Sequence, residues 1–353
     1  MRSLATIDPW WLEHLVCPRD QRRLTQSGDH LDCGDHRYPV VHGVPVMLLD
    51  EVPHTLDIAG RSIDAAGHDR TSTLFLDTLS LSDNEKQGIV ALAATGGPID
   101  PVVAYLVAAT NGLMYKHLIG RLVRYPIPRL PLPPGKGRRL LDIGCSWGRW
   151  TVAASQAGYE AIGIDPSLGA VLAARRVAAQ IGVSSRYLVG DARHLPFAPG
   201  TFDTAYSYSV IQHFSRADAG RSVAEIGRLL LPGGVAKVQM PTRFGLRCLY
   251  HQARRGFREG RGFEVRYWTG GELKRLFTAM IGPTRLEADC FFGIGLQAED
   301  AEILTPPLRR VLRASEWMKA RTRRWPALVR VADSVFAQSV KSGPTEPRIH
   351  DRR

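Results

Sequence analysis

The chain has 353 residues, of which 44% are hydrophobic, and it carries a formal net charge of +12. This length favours two domains, and the apolar content is sufficient for a packed core. The sequence contains no apolar run long enough for a transmembrane helix, and residues 1–10 lack the hydrophobic region of a signal peptide. The five cysteines are odd in number and widely spaced, which argues against a disulfide scaffold and predicts a cytoplasmic protein.

Residues 1–54 are predicted to form a small β-rich module. It begins near the turn Cys17-Pro18, continues through a second cysteine at Cys33, and ends with the segments 38–40 and 43–46, Tyr-Pro-Val and Gly-Val-Pro-Val. These segments resemble the zinc-ribbon-like proteins that act as activating subunits of tRNA and translation-factor methyltransferases. The same module also occurs fused to methyltransferase domains.

The metal-binding pattern of this module is incomplete. A full ribbon site contains Cys-x-x-Cys twice, whereas this chain has Cys17-x-x-Asp20 and Cys33-x-x-His36. All of these side chains can bind zinc, so a mixed site is one interpretation, and a ribbon that folds without metal is the other. Two soft thiolate ligands have been replaced, so the sequence favours the second interpretation and predicts no metal.

Residues 55–125 show no strand pattern and are predicted to be a helical cap and linker. The expected helices cover residues 74–81, 84–94 and 101–124, and the last of these is expected to lie across the mouth of the ligand site that follows. Tyr115 on this helix is interpreted as a core residue more readily than as a substrate contact. The proline-rich stretch 126–135 predicts a stiff connection to the next strand.

The most informative segment follows this connection. Leu140 to Ile143 reads as a short buried parallel strand interrupted by Asp142, and Gly144, Ser146 and Gly148 follow at alternate positions before a helix predicted over 150–157. A strand, a glycine-rich turn and a helix N-terminus form a nucleotide-sized site in doubly wound folds. The turn has neither the dinucleotide-binding spacing nor the lysine of a phosphate-binding loop. The pattern therefore suits a ligand with a positive end, which Asp142 would meet.

The elements after this turn alternate in the manner of a parallel sheet. Two further strands are predicted to end in acids, at Asp165 and Asp191, and an acid after the second strand typically reaches ribose hydroxyls. The other predicted elements are a helix over 168–181, a turn over 195–203, a strand over 204–210, a helix end over 228–234 and a strand over 235–240.

The order and spacing of these motifs from Arg138 to Pro241 resemble those of the class I S-adenosylmethionine-dependent methyltransferases. The resemblance implies an α/β fold with a doubly wound, seven-stranded Rossmann-like sheet, to which the ribbon-like module and the helical cap are added. It implies a methyltransferase domain over 126–345, with a helical insertion at 299–332 and a disordered tail at 346–353. An alternating strand–helix domain that binds another nucleoside is the alternative.

The resemblance also implies S-adenosylmethionine as the cofactor and a set of residues that bind it. Gly144, Ser146 and Gly148 would cradle its amino-acid part, and Asp142 would order the loop. Asp165 would bind the ribose, Asp191 and Ala192 would recognise the adenine edge, and Ser207 and Tyr208 would face the methionine portion. The full implied set is Asp142, Gly144, Cys145, Ser146, Gly148, Asp165, Pro166, Asp191, Ala192, Ser207 and Tyr208.

His213 lies just past the fourth strand, where this family lines its acceptor pocket. A histidine there suits a general base that takes a proton from an acceptor hydroxyl or amine. A structural histidine that caps the next helix is an equal alternative. Tyr206 or Tyr208 would shape the same wall. The family motif for amino methylation of bases or glutamine is absent after this strand, which favours O-methylation of a small-molecule, natural-product or glycan acceptor.

The final third of the chain is basic, with 22 Lys and Arg against 12 Asp and Glu over residues 241–353. An arginine-rich insertion at 243–262 and an amphipathic basic helix at 307–324 predict an anionic acceptor, a peripheral membrane contact or an ordinary solvated surface. An RNA methyltransferase and a non-catalytic, cofactor-holding regulatory subunit remain as alternatives. The other predicted elements here are a helix over 273–280, capped by Thr269 and Glu272, and strands over 284–294 and 334–340.

Overall fold

The computed structural model describes residues 7–53, 56–68, 72–293 and 295–343. The predicted tail at 346–353 lies outside these residues. The N-terminal module begins with helix α1, Pro9–His14, which Asp8 caps by accepting a hydrogen bond from the Trp10 N–H. Four short strands then form an antiparallel sheet in sequence order: Thr25–Ser27 (β1), His30–Asp32 (β2), Arg37–Val41 (β3) and Val44–Pro45 (β4).

The next segment is helical, as expected, but its boundaries differ from the prediction. Its helices are Ile58–His68 (α2), Asp83–Thr95 (α3) and Pro101–Asn111 (α4), with 3-10 turns at Leu76–Thr78 and Leu113–Leu118. The prediction of one helix over 101–124 was wrong, because Gly112 adopts a φ of +102° and ends α4. A residue with positive φ cannot continue a right-handed helix.

The remaining elements are the strands of the large sheet and the helices that connect them. They are Arg139–Ile143 (β5), Arg149–Gln156 (α5), Glu160–Asp165 (β6), Leu168–Ile181 (α6), Ser185–Val189 (β7), Phe202–Ser207 (β8), Arg216–Leu229 (α7), Leu230–Pro241 (β9), Leu246–Arg254 (α8), Gly270–Met280 (α9), Thr284–Cys290 (β10), Pro306–Arg321 (α10) and Ser334–Val340 (β11). Short 3-10 turns occur at Ile211–His213, Ala298–Asp300 and Pro326–Val331. Thr269 and Glu272 form the predicted capping box of α9.

The seven strands lie in the order β10-β11-β9-β8-β5-β6-β7. All neighbouring strands from β9 to β7 are parallel, and β11 runs antiparallel to both β9 and β10. The predicted fold class is therefore confirmed. Strand β9 begins at Leu230, earlier than expected, and its pairing with β8 shifts register between Phe202 and Thr204.

The order of the strands reverses beside β5, which pairs with β6 on one side and with β8 on the other. Leu140, Leu141 and Ile143 of β5 are fully buried, and each such side chain contributes about 1.5–3 kcal/mol to folding. Ligands of open α/β sheets bind at such a reversal, outside the carboxyl ends of the strands. The fold thus places the ligand crevice next to the glycine-rich turn after β5.

The N-terminal module packs against the free edge of this sheet. The Met47 N–H donates to the Val189 carbonyl of β7 at 2.7 Å, and Val46 forms a parallel bridge with Val189. Near the module's first helix, the Val16 N–H donates to the Pro196 carbonyl at 3.0 Å. The module therefore extends the sheet at β7 and shares its hydrophobic core. Among the described helices, none is both long and apolar enough to cross a membrane.

Candidate functional site

The glycine-rich turn follows β5 directly. The N–H groups of Gly144 and Cys145 donate to the Ile164 carbonyl at 2.8 and 3.0 Å, which ties the turn to β6. Gly144 has a φ of +75°, and a Cβ atom there would lie 2.2 Å from Cγ2 of Val210. Only glycine fits this position without displacing Val210, so the turn packs directly against Val210 at the cavity wall.

Asp165, at the end of β6, receives two backbone hydrogen bonds. Its Oδ2 accepts from the Ser146 N–H at 2.9 Å, and its Oδ1 accepts from the Ser167 N–H at 3.0 Å. Burial raises the pKa of Asp165 to about 6, although these two hydrogen bonds act in the opposite direction. The carboxylate therefore holds the glycine-rich turn against the start of α6, at the wall of the cavity.

Asp142 is directed away from the cavity. It is 1% exposed, and its Oδ2 accepts a 2.6 Å hydrogen bond from the Thr151 hydroxyl of α5. Burial raises the pKa of Asp142 to about 7. The structure therefore does not place Asp142 where it was expected to meet the positive end of a ligand, because its carboxylate joins β5 to α5 and does not line the cavity.

Gly148 and Ser207, two other residues of the implied cofactor set, also lie outside the cavity wall. Gly148 has a φ of +82° and allows α5 to approach α6, since a Cβ atom would lie 3.0 Å from that of Ala174. The Ser207 hydroxyl donates to the Ile143 carbonyl at 2.9 Å and is fully buried. These residues position neighbouring backbone and do not face the cavity.

Asp191 follows β7 and is bound by a nearby arginine. Its carboxylate lies 2.6 Å from Nη2 of Arg193, and both side chains are largely buried. Arg193 also donates to the Pro53 carbonyl of the N-terminal module at 3.1 Å. The module therefore contacts the segment that carries Asp191 and Ala192.

These elements line a cavity of about 940 Å³. This volume is near the upper end of the roughly 300–1,000 Å³ typical of small-molecule sites, so it leaves room for two ligands. The predicted site residues that line it are Gly144, Cys145, Ser146, Asp165, Pro166, Asp191, Ala192, Tyr208 and His213.

Tyr208 forms part of the cavity wall beyond the glycine-rich turn. Its hydroxyl donates to Oδ2 of Asp289 at 2.9 Å and accepts from the Gln297 amide at 2.9 Å. Its ring packs against Trp150, with 4.9 Å between the ring centroids. Tyr206, the other candidate for this wall, is fully buried and does not line the cavity.

His213 lines the cavity at the end of a 3-10 turn. Its Nδ1–H donates to the Phe263 carbonyl at 2.7 Å, so Nε2 is the acceptor nitrogen of the neutral ring. This Nε2 atom lies 3.1 Å from the side-chain amide nitrogen of Gln212. Burial lowers the pKa of His213 to about 4, and the imidazole is neutral at neutral pH. The helix-capping alternative does not hold, because Ser215 is the N-cap of α7.

The sequence did not reveal the contacts that the helical segment makes with this site. The Thr110 hydroxyl of α4 lies 2.8 Å from the Ser146 hydroxyl in the glycine-rich turn. Tyr115 is fully buried, as expected, and its hydroxyl donates to Asp300, which also pairs with Arg149. These partners are far apart in the sequence, and no local pattern connects them.

The cavity also has a basic wall on α8. Arg247, His251 and Arg254 line it, at helical spacing along one face. The arginine content of this insertion was visible in the sequence, but which arginines face the cavity was not. Arg258, in the same insertion, instead pairs with Glu264 at 2.6 Å.

The N-terminal module brings three of its four candidate metal ligands together. The ligand atoms of Cys17, Asp20 and His36 lie within 4.8 Å of one another, and Cys33 is not part of this group. The Cys17 thiol lies 3.2 Å from the Tyr38 hydroxyl, and burial raises the pKa of this thiol. Asp20 pairs with Arg22 at 2.6 Å. Each of these contacts competes with a metal ion.

Residues 140–234 match the family described as methyltransferase domain. The match runs from β5 through α7 and into the start of β9, so it contains the glycine-rich turn, Asp165 and Asp191. This segment is therefore a methyltransferase domain, whose cofactor is S-adenosylmethionine.

Curated relatives match about a third of the chain. A ubiquinone biosynthesis O-methyltransferase of Azorhizobium caulinodans is 33% identical over 112 residues, which cover 32% of this chain and 44% of that protein. A demethylmenaquinone methyltransferase of Corynebacterium kroppenstedtii is 33% identical over 106 residues, covering 30% of this chain and 43% of that protein. The chain thus spans less than half the length of these relatives.

Among solved structures, a phosphoethanolamine N-methyltransferase 2 of Haemonchus contortus, in complex with S-adenosyl-L-methionine, superimposes with a TM-score of 0.44 at 18% identity. The superposition covers 77% of this chain and 60% of that structure.

Proposed function

We propose that this protein transfers the methyl group of S-adenosylmethionine to an oxygen of a small-molecule acceptor. The observation that carries the proposal is the single cavity that joins the glycine-rich turn and Asp165 to the wall formed by Tyr208 and His213. The names of the relatives in quinone biosynthesis support a small organic acceptor. A cavity of about 940 Å³ also suits a small acceptor better than a folded RNA.

The residues around the glycine-rich turn fit the cofactor. Gly144 lines the cavity with its backbone, at a position where a side chain would collide with Val210, and Asp165 supplies a carboxylate at the cavity wall. We assign Asp165 to the ribose hydroxyls, Asp191 and Ala192 to the adenine edge, and Gly144 with Ser146 to the amino-acid part. S-adenosylmethionine, when bound, supplies a methyl group that its sulfonium has already activated.

The task of the protein is to align the acceptor and to exclude water, since the displacement needs no further activation of the methyl group. Tyr208 is fixed by its two hydrogen bonds and by Trp150, so it presents a rigid surface to the acceptor. His213 is neutral and donates through Nδ1, so Nε2 is the atom that can take a proton from an acceptor hydroxyl. The Gln212 amide must first release that nitrogen.

Calorimetry and a transfer assay test this proposal together. The wild-type protein should bind S-adenosylmethionine and its demethylated product, and it should transfer labelled methyl groups to small molecules in a cell extract. Absence of cofactor binding would contradict the proposal. Cofactor binding without any transfer would indicate a regulatory subunit, and label in the RNA fraction would indicate an RNA methyltransferase.

A further inference from the structure

Helix α8 forms a basic part of the cavity wall. It presents Arg247, His251 and Arg254 to the cavity, and Arg255 lines the cavity directly after the helix. Residues at positions i, i+4 and i+7 lie on one face of a helix. The side of α8 that lines the cavity therefore carries an arginine before and after a histidine.

These arginines differ from the other arginines of the wall. Arg149 pairs with Asp300 at 2.5 Å, and Arg193 pairs with Asp191 at 2.6 Å. Within the part of the chain that the structure describes, Arg247, Arg254 and Arg255 form no ion pair with a carboxylate. Arg255 donates through Nη1 to the Val265 carbonyl at 2.9 Å, and its buried Nε has no hydrogen-bond partner among these residues.

The acid that lines the cavity beside these arginines does not neutralise them. Glu264 lines the cavity, but both of its oxygens accept hydrogen bonds from Arg258, at 2.6 and 2.9 Å. This pairing lowers the pKa of Glu264 to about 2. The pKa of His251 is lowered first by burial and then by Arg247, Arg254 and Arg255, while the Asp333 carboxylate opposes them with the smallest of these effects. Asp333 is 1% exposed, and its Oδ1 accepts from the N–H groups of Arg247 and Cys248 at 2.8 and 3.0 Å. The excess positive charge is thus local to this end of the cavity.

We propose that the methyl acceptor carries an anionic group, a carboxylate or a phosphate, and that Arg247, Arg254 and Arg255 bind it. Guanidinium groups bind both anions through paired, charge-assisted hydrogen bonds. The cavity then has acids, Asp165 and Asp191, near the glycine-rich turn, and at α8 it has cations that lack a carboxylate partner among the described residues. This inference rests on the proposed function, because it specifies the acceptor of the same cavity.

The same anionic group occurs in free small molecules and in lipid head groups. Leu246, Tyr250 and Phe257 are 66%, 57% and 65% exposed and lie in the same segment as the arginines. Exposed apolar residues interspersed with arginines are typical of surfaces that contact anionic lipid. The test therefore needs one arm for each source.

The first arm uses calorimetry on protein saturated with S-adenosylhomocysteine, with phenyl phosphate, benzoate and the uncharged benzyl alcohol as probes. We expect the two anions to bind the wild-type protein roughly tenfold or more tightly than benzyl alcohol. The double substitution Arg247→Ser and Arg254→Ser should abolish this preference. Arg243→Ser is the matched control, because Arg243 lies in the same insertion and outside the cavity wall, and it should leave the preference unchanged.

The second arm measures sedimentation with phosphatidylcholine vesicles, with and without a minor fraction of phosphatidylglycerol. Binding that requires phosphatidylglycerol and the two arginines would identify a lipid head group as the source of the anion. Preference for the soluble anions without vesicle binding would identify a free acceptor.

Equal affinity of the wild-type protein for charged and uncharged probes, without vesicle binding, would overturn the inference. An equal loss in the Arg243→Ser control would overturn it as well, since it would show a general charge effect. The affinity for S-adenosylmethionine is measured on the same samples. If the protein binds the cofactor but does not prefer the anionic probes, only this inference fails and the proposed function stands. If the protein does not bind the cofactor, the proposed function fails.

Discussion

Arg149 and Asp300 form a buried ion pair of 2.5 Å, although 151 positions separate them in the sequence. Arg149 is 2% and Asp300 1% exposed, and the Tyr115 hydroxyl donates to the same carboxylate. Arg149 begins α5 directly after the glycine-rich turn, Tyr115 belongs to the helical segment, and Asp300 belongs to the insertion before α10. One carboxylate therefore joins three separate parts of the chain beside the cavity.

We expect Asp300→Asn to destabilise the protein strongly. The substitution keeps the shape of the side chain but leaves the Arg149 charge buried without a counter-ion, which costs about 3–5 kcal/mol. Denaturant unfolding measures the change in the free energy of unfolding. Glu302→Gln is the control, because its ion pair with Arg124 is exposed and should contribute about 1 kcal/mol or less. Similar losses in both variants would contradict a specific role of the buried pair.

Gly144→Ala should abolish cofactor binding. The left-handed backbone conformation costs any residue other than glycine roughly 1–2 kcal/mol. At this position the new methyl group would also collide with Val210. Gly137→Ala is a matched control, since Gly137 has a φ of +77° and open space around it. Calorimetry with S-adenosylmethionine should show binding by the control only. Normal binding by Gly144→Ala would mean that the turn does not approach the ligand.

The affinity for S-adenosylmethionine should fall as the pH drops through about 6, because burial places the pKa of Asp165 there. The ionised carboxylate is the better acceptor for ribose hydroxyls, so protonation competes with binding. Asp165→Asn should bind the cofactor about 10–100-fold more weakly at neutral pH and should lose this pH dependence. Glu160→Gln, at the other end of β6, serves as the control. Unchanged pH dependence in Asp165→Asn would assign the titration to another group.

His213→Asn should lower turnover by roughly a factor of one hundred if Nε2 accepts the proton of the acceptor, while the affinity for the cofactor stays unchanged. Since the pKa of His213 is about 4, turnover should be lost only as the pH falls through that value. The transfer assay in a cell extract measures this effect. His194→Asn is the control, because His194 does not line the cavity. Full turnover in His213→Asn would show that His213 only packs against Phe263 and does not accept the proton.

We predict less than one zinc ion per chain at Cys17, Asp20, Cys33 and His36. Only three of these ligands come together, whereas structural zinc sites require four. The Cys17 thiol is also held in its protonated form, and Asp20 is paired with Arg22. Elemental analysis of the purified protein gives the metal content, and Cys17→Ser should leave it unchanged. One tightly held zinc per chain, lost in Cys17→Ser, would contradict this prediction.

The sequence alone determined the parts of the fold that depend on neighbouring residues. Helix Leu168–Ile181 and strand Ser334–Val340 have the predicted bounds, because periodicity and flanking residues specify an element locally. The capping box of α9 was predictable for the same reason. The doubly wound sheet and the site residues were instead implied by the resemblance of the motifs to a known family, and nine of those residues line one cavity.

Only the tertiary structure decided how the side chains of these elements are used. Asp142 reads like a ligand-binding acid in the sequence, but burial beneath α5 directs it to Thr151. The pairing of Arg149 with Asp300, and the lack of carboxylate partners for Arg247 and Arg254 among the described residues, depend on contacts between distant segments. Spacing along the chain specifies which face of an element a residue occupies. It does not specify which distant residue contacts that face. Such a contact decides whether a charged side chain is neutralised or remains able to bind a ligand.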